Sequence, residues 1–180
     1  MKEVFSVDIC GRREELPVLK LGDNGPKIAF FNLHGNVELT EYCAKALSER
    51  IEGKADVLLT AESKGLQLTH CIARNLGHKY YAAARKSKKL YMQDGVSVSV
   101  KSITTQNEQT FYLSALDAEL LRGKRVAVVD DVISTGGSMA ALCELVNKAG
   151  GSVTVKAAVL AEGNAKERQD IVYLAHIPIM

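Results

Sequence analysis

Residues 125–139, RVAVVDDVISTGGSM, decide how the rest of this 180-residue chain is read. The stretch opens on an apolar, mostly β-branched run, Val126-Ala127-Val128-Val129, with the composition of a buried strand. Two adjacent carboxylates follow, Asp130 and Asp131, and then a turn of small residues, Ser134-Thr135-Gly136-Gly137-Ser138. Met139, Leu142, Cys143, Val146 and Ala149 continue at helical spacing. A turn without bulky side chains brings several backbone N–H groups onto one phosphate, and the helix behind it adds its positive end. Ser134, Thr135 and Ser138 add hydroxyl donors. Paired carboxylates about one sugar's width upstream suit the two hydroxyls of a ribose, directly or through a hard cation such as Mg²⁺. The plain alternative is that Asp130-Asp131 only caps a helix after a strand, but an acid pair ahead of Thr-Gly-Gly is more than capping requires.

Outward from this stretch, apolar runs at 56–60 (DVLLT), 79–84 (KYYAAA) and 153–160 (VTVKAAVL) alternate with helical patterns. One helix follows the candidate N-cap Asn36 and carries Leu39, Tyr42, Cys43, Ala46, Leu47 and Ile51. Another carries Leu66, Thr69, Ile72, Ala73 and Leu76 and closes at Gly77. Near-continuous apolar strands separated by helices predict an α/β domain with a doubly wound, mostly parallel sheet. Residues 4–9, 16–21 and 27–31 read as short strands ahead of these units, and the tail 171–179 holds a final short strand. In such a fold the ligand sits at the carboxyl ends of the strands. Residues 61–65, 85–89 and 130–138 all fall there.

Length and composition fit one domain of 180 residues that buries about 70% of its unfolded surface. The hydrophobic fraction of 47%, the charged fraction of 24% and a formal charge of +2 argue against bulk nucleic-acid binding, so a basic site must be local. Cys10, Cys43, Cys71 and Cys143 form no CxxC and read as reduced thiols of a cytoplasmic protein. No apolar run approaches a membrane span, and the first residues are too charged for a signal peptide.

Two further segments carry charge suited to a polyanion. Ala61-Glu62-Ser63-Lys64-Gly65 joins a strand to a helix, where amides of Ser63, Lys64 and Gly65 can meet phosphate oxygens. A solvated helix start is the bland reading of the same residues. Arg85-Lys86-Ser87-Lys88-Lys89 places cations after the next strand, and alone it would read as a solvated run. Residues 96–113 alternate as two strands around a polar tip at 104–108. GxGxxG is absent, and GVSVSVKS at 95–102 lacks the glycine before lysine that a P-loop needs.

The strand, acid pair and Thr-Gly-Gly-Ser turn of 125–139 resemble the phosphoribosyl pyrophosphate (PRPP) motif of type I phosphoribosyltransferases. The resemblance covers the chain from about residue 30 onward and is greatest, by eye, to the adenine and xanthine enzymes. It implies that Asp130 and Asp131 hold the ribose hydroxyls. It places the 5-phosphate on Ser134, Thr135, Gly136, Gly137 and Ser138. Pyrophosphate would then meet Ser63, Lys64 and Gly65, with Arg85, Lys86 and Lys89. Lys64 stands where the family usually has arginine. The resemblance also implies a small hood formed by residues 1–36 and 161–180, and residues 96–113 take the place of the family's mobile lid, with Thr104 where the adenine enzymes carry a glutamate. Asn32 and Glu162 fall where relatives meet the base, and Gly163 stands where the xanthine enzymes carry lysine. The resemblance further implies Mg²⁺ as cofactor, PRPP and a purine base as partners, and a homodimer engaged in purine salvage. A non-catalytic PRPP-sensing regulator is the rival of another class, although 1–36 leaves no room for a winged-helix domain. An RNA-binding use of the 85–89 patch is a third reading.

Overall fold

The four residues Val126, Ala127, Val128 and Val129 are all fully buried, and the sheet is built around them. A computed structural model describes residues 3–22, 25–101 and 108–180. In chain order the first strands are β1 (Val4–Ile9), β2 (Arg12–Lys20) and β3 (Lys27–Ala29), which form a small antiparallel sheet in that order. Helix α1 (Val37–Ile51) follows, then β4 (Val57–Ala61), α2 (Gly65–Asn75) and β5 (Ala82–Ala84). A hairpin of β6 (Val96–Lys101) and β7 (Glu108–Leu113) leads to α3 (Ala115–Leu121), β8 (Arg125–Ile133), α4 (Gly137–Lys148) and β9 (Ser152–Glu162). A short 3₁₀ turn, Gly163–Glu167, precedes β10 (Val172–Ile177).

The main sheet has the order β10-β9-β8-β4-β5, and every pairing is parallel. Strand periodicity explains its two cores. Ala127 and Val129 point into the layer that holds Leu39, Cys43, Leu47, Leu68 and Ile72 of α1 and α2. Val126 and Val128 point the other way, among Leu121 of α3, Leu142 and Leu145 of α4, and Phe111 and Leu113 of β7. With both faces covered, the strands must be apolar throughout. The Asn36 side chain caps α1, accepting from the Leu39 amide at 3.1 Å. No helix among the described residues is long and apolar enough to cross a membrane.

The strand order reverses between β4 and β8, so the carboxyl ends of these two flank the switch point. They pair only over Val57, Leu58 and Leu59 against Val126, Ala127 and Val128. Beyond that, Thr60 and Ala61 pair with β5 alone, while Asp130, Val132 and Ile133 pair with β9 alone. The sheet therefore splits at its carboxyl edge. At the other edge Arg125 closes it, donating from Nη2 to Asp56 Oδ1 at 2.8 Å and from its amide to Oδ2 at 2.9 Å.

Several expectations change. The tail is not all hood: β10 hydrogen-bonds into the main sheet, with Val172 opposite Ala157 and Ile177 opposite Glu162. Leu174 and Ile177 are buried there, and burial of these apolar side chains decides the placement. The small antiparallel sheet sits beside it, with Cys10 Sγ 3.8 Å from the Leu174 carbonyl. β2 begins at Arg12, because the charged Arg12-Arg13-Glu14-Glu15 run pairs fully with β1. β5 keeps only Ala82, Ala83 and Ala84 of the expected 79–84 strand, because pairing with β4 extends no further. α3 was not foreseen. In the 96–113 segment, Val98, Phe111 and Leu113 are buried, so the base of the hairpin belongs to the core. The polar tip, including Thr104, lies outside the described residues except for Glu108, the first residue of β7.

Leu142 is fully buried between α4 and the sheet. Leu142→Ala is expected to lower unfolding stability by about 2–5 kcal/mol, read as a drop in the urea midpoint at unchanged slope.

Candidate active site

Three loops leave the carboxyl ends of β4, β5 and β8, and the split between β4 and β8 opens beneath them. The acid pair lies inside β8 rather than after it. Pairing with β9 continues past the acids, with Val132 opposite Leu160 and Ile133 opposite Ala161. Asp130 is half-buried and Asp131 buried. Asp130 Oδ1 accepts the Asp131 amide at 2.9 Å. Burial, and then the adjacent Asp131 charge, push the Asp130 carboxyl up to about 7. Asp131 Oδ2 is buried and finds no hydrogen-bond donor among the described residues. The nearest cation is Lys64 Nζ, at 3.5 Å. Lys64 in turn stands 5.3 Å from the centre of the Phe30 ring, which steadies the ammonium beside Asp131.

After β8 the chain turns through Ser134, Thr135 and Gly136 into α4. Gly136 has φ +82°, a left-handed conformation that glycine adopts freely. The first helical hydrogen bond runs from the Ala140 amide to the Gly136 carbonyl at 2.8 Å. The preceding amides are therefore free of helical partners and face outward at the positive end of the helix. Asp130, Val132, Ser134, Thr135, Gly136, Gly137 and Ser138 line a recess of about 130 Å³ here.

The loop after β4 is compressed against the sheet. A Cβ on Gly65 would stand 2.1 Å from Thr60 Oγ1 and 3.5 Å from the Val129 carbonyl, so only glycine fits. The Glu62–Ser63 peptide is cis. Glu62 does not point to solvent. It accepts the Lys86 amide at 2.7 Å and Arg85 Nη1 at 3.1 Å. Burial works against the charge, yet these two donors hold the Glu62 carboxyl below its ordinary value. The acid of the first loop thus fixes the start of the basic segment. Arg85 is further anchored by its main chain, which exchanges two 2.8 Å hydrogen bonds with Tyr112 of β7. Lys86 and Lys89 remain exposed.

The structure brings together 63–65, 85–89 and 130–138, as the pattern of strand ends implied. The two candidate base residues lie apart from each other. Asn32 is exposed on the loop before α1, where its Oδ1 accepts the His34 amide at 3.2 Å. Glu162 ends β9, on the far side of β8. It lines a second recess of about 310 Å³ with Ser134, Thr135, Asn164, Ala165, Arg168 and Ile179. Arg168 escaped the sequence reading, whereas His34 belongs to the segment 31–36 that resembles the base-side loop of the xanthine-type relatives. His34 Nε2 lies 3.5 Å from Ser63 Oγ, with Gln67 Nε2 3.3 Å from Nδ1. Arg168 lies against Gly136, and no motif around it signals this.

The site thus sets a pair of carboxylates, a turn of small residues and several cations at the carboxyl ends of β4, β5 and β8. A family model described as a phosphoribosyl transferase domain matches residues 33–175, and the chain belongs to that family. It is 31% identical over 127 residues to the xanthine phosphoribosyltransferase of Bifidobacterium adolescentis, covering 69% of this chain and 65% of that protein. It is 34% identical over 122 residues to the adenine phosphoribosyltransferase of Flavobacterium johnsoniae, covering 67% and 68%. Identity to the hypoxanthine/guanine phosphoribosyltransferase of Methanococcus voltae is 29% over 120 residues, covering 67% and 60%. The match therefore spans slightly less than two thirds of the length of the first and third of these relatives. Among solved structures, the adenine phosphoribosyltransferase of Thermoanaerobacter pseudethanolicus superposes with a TM-score of 0.75 at 21% identity, over 90% of this chain and 95% of that one. The Giardia lamblia enzyme complexed with 9-deazaadenine gives 0.75 at 20% identity, over 90% and 93%. These two likenesses show the shared fold.

The raised Asp130 fixes a sign. A carboxyl whose folded value lies above its unfolded one favours the fold while it is protonated, and that contribution is lost as pH rises through about 7. Asp130→Asn is therefore expected to melt above the unaltered protein at pH 8, and the two should converge as pH falls towards 4. Equal melting temperatures across that range would contradict the placement of Asp130.

Proposed function

We propose that this chain transfers ribose 5-phosphate from PRPP to a ring nitrogen of a purine, releasing pyrophosphate. The observation that carries the reading is the buried Asp131 carboxylate, whose Oδ2 makes no hydrogen bond among the described residues and has only the Lys64 ammonium, 3.5 Å away, as an ion-pair partner among them. Paired ribose hydroxyls are donors of the kind that would satisfy it together with Asp130. The bond from C1 to the pyrophosphate oxygen breaks, a bond from C1 to the purine nitrogen forms, and the proton on that nitrogen passes to solvent or to pyrophosphate. C1 becomes cationic on the way, so catalysis is orientation, charge stabilisation and exclusion of water.

The residues divide the substrate between them. The turn 134–138 holds the 5-phosphate, and Asp130 and Asp131 hold the ribose. The amides of Ser63, Lys64 and Gly65, with Lys86 and Lys89, meet the pyrophosphate. Arg85 adds what charge Glu62 leaves to it. A two-carboxylate donor set suits Mg²⁺ only if diphosphate and water supply the remaining oxygens, so the metal would arrive with PRPP. When bound, Mg²⁺ screens the leaving group's charge. Adenine, xanthine and hypoxanthine or guanine are the bases named for the relatives. Asn32 and Glu162 are our choices for the contacts that select among them, and Glu162 can only accept, so it suits an N–H edge of the base.

Asp130→Asn combined with Asp131→Asn is expected to cut turnover by about 10²–10³-fold while the circular dichroism spectrum is kept. Native-like rates in that double variant would refute the reading. A screen of adenine, xanthine, guanine, hypoxanthine, uracil and orotate with PRPP and Mg²⁺, followed by pyrophosphate release, should give product with a purine. PRPP binding without turnover on any base would mark a PRPP-sensing regulator instead.

A further inference from the structure

We propose that Arg168 is a ligand of the sugar's 5-phosphate, a cation brought to the 134–138 turn from the far end of the chain. The inference rests on the phosphoribosyl reading above and deepens it. The turn carries no charge of its own: Ser134, Thr135, Gly136, Gly137 and Ser138 offer hydroxyls and amides only. The ionisable side chain that shares their recess is Asp130, which has the wrong sign. A phosphate monoester carries about −1.5 to −2 charges at pH 7. The end of α4 offsets roughly half a charge of that. A further cation is needed close by.

Arg168 meets that need. Its Nη1 would lie 2.5 Å from a Cβ placed on Gly136, and its Cζ 3.8 Å. The guanidinium thus lies directly against the backbone of the turn's left-handed residue, in space that any side chain at 136 would occupy. It lines the recess of about 310 Å³, which meets the recess of the 134–138 turn at Ser134 and Thr135. Its orientation is set from the other edge. Nε donates to Asp170 Oδ1 at 2.9 Å and Nη2 to Oδ2 at 2.8 Å, a two-pronged pair that fixes the plane of the group. Lys156 Nζ braces the same carboxylate at 2.7 Å. Arg168 and then Lys156 hold the Asp170 carboxyl well below its ordinary value, so the brace is charged at neutral pH. The pairing uses the Nε and Nη2 edge. It leaves Nη1, the nitrogen nearest Gly136, without a hydrogen bond among the described residues. Lysine has no second donor edge and could not be anchored on Asp170 while reaching the turn.

The test separates this role from a purely structural one. Binding of ribose 5-phosphate and, separately, of pyrophosphate with Mg²⁺ is measured by calorimetry on the unaltered chain and on Arg168→Met, Arg168→Lys and Asp170→Asn. Arg168→Met is expected to weaken ribose 5-phosphate by about 10- to 100-fold, as for loss of a charge-assisted hydrogen bond, and to leave pyrophosphate within about twofold. Arg168→Lys should recover part of the loss. Asp170→Asn, which frees the arginine but keeps its charge, should weaken ribose 5-phosphate by a few fold only. It supplies the reading if Arg168→Met does not fold. Unchanged ribose 5-phosphate affinity, or equal weakening of both ligands, would overturn the role of Arg168. If the unaltered chain binds neither ligand, the phosphoribosyl reading itself falls.

Discussion

Two carboxylates on consecutive residues of a buried central strand are costly to the protein that holds them. One neighbour cannot ionise freely beside the other, and burial penalises both charges. Here the pair is only partly answered from within, by one backbone amide and by an ammonium 3.5 Å away. The remaining arrangement follows from that unmet demand. Lys64 is steadied beside Asp131 by Phe30, the positive end of α4 opens a few residues further on, and cations gather at the two neighbouring strand ends. The site is an array of opposed charges, and the ligand proposed above, with hydroxyls between two phosphate groups, would answer them together.

Close approach is the second constraint. Gly65 sits where β4, β8 and the start of α2 converge, and the Thr60 hydroxyl, 2.1 Å from where a Cβ would stand, leaves no room there for a methyl group. Gly136 is held between a left-handed backbone and the Arg168 guanidinium. These two glycines let backbone amides of the two loops reach the crevice. The Glu62 carboxylate joins the loops, since it ties the start of the basic segment to the end of β4.

The parts legible in the sequence were those in which chemistry and chain proximity coincide. The acid pair, the Thr-Gly-Gly turn and the helix after it form one continuous phrase, and the alternation of apolar runs with helical spacing announced the parallel sheet. What stayed hidden depended on partners distant in the chain. β8 was expected to stop at Val129 because the acids interrupt the apolar run, yet Leu160 and Ala161 of β9 carry the ladder on to Ile133. β10 looked like hood because a short apolar strand does not declare which sheet it joins. α3 did leave a signal, since Ser114 accepts the Asp117 amide at 3.1 Å in a Ser-x-x-Asp cap, but its seven residues are too few for a clear period. Arg168 became visible only once the tail had folded against the turn.

The divergence of β4 from β8 has a consequence of its own. Strands that part company expose main-chain groups along their facing sides, as at the rim of any sheet. Here that rim lies in the interior of the fold, clamped shut at one end by Arg125 and Asp56 and wedged open at the other by the start of α2. The protein thus owns an internal edge, a place where peptide groups are kept from their usual ladder without being surrendered to other chains. An edge of this kind cannot recruit another strand, because the flanking helices bar the way.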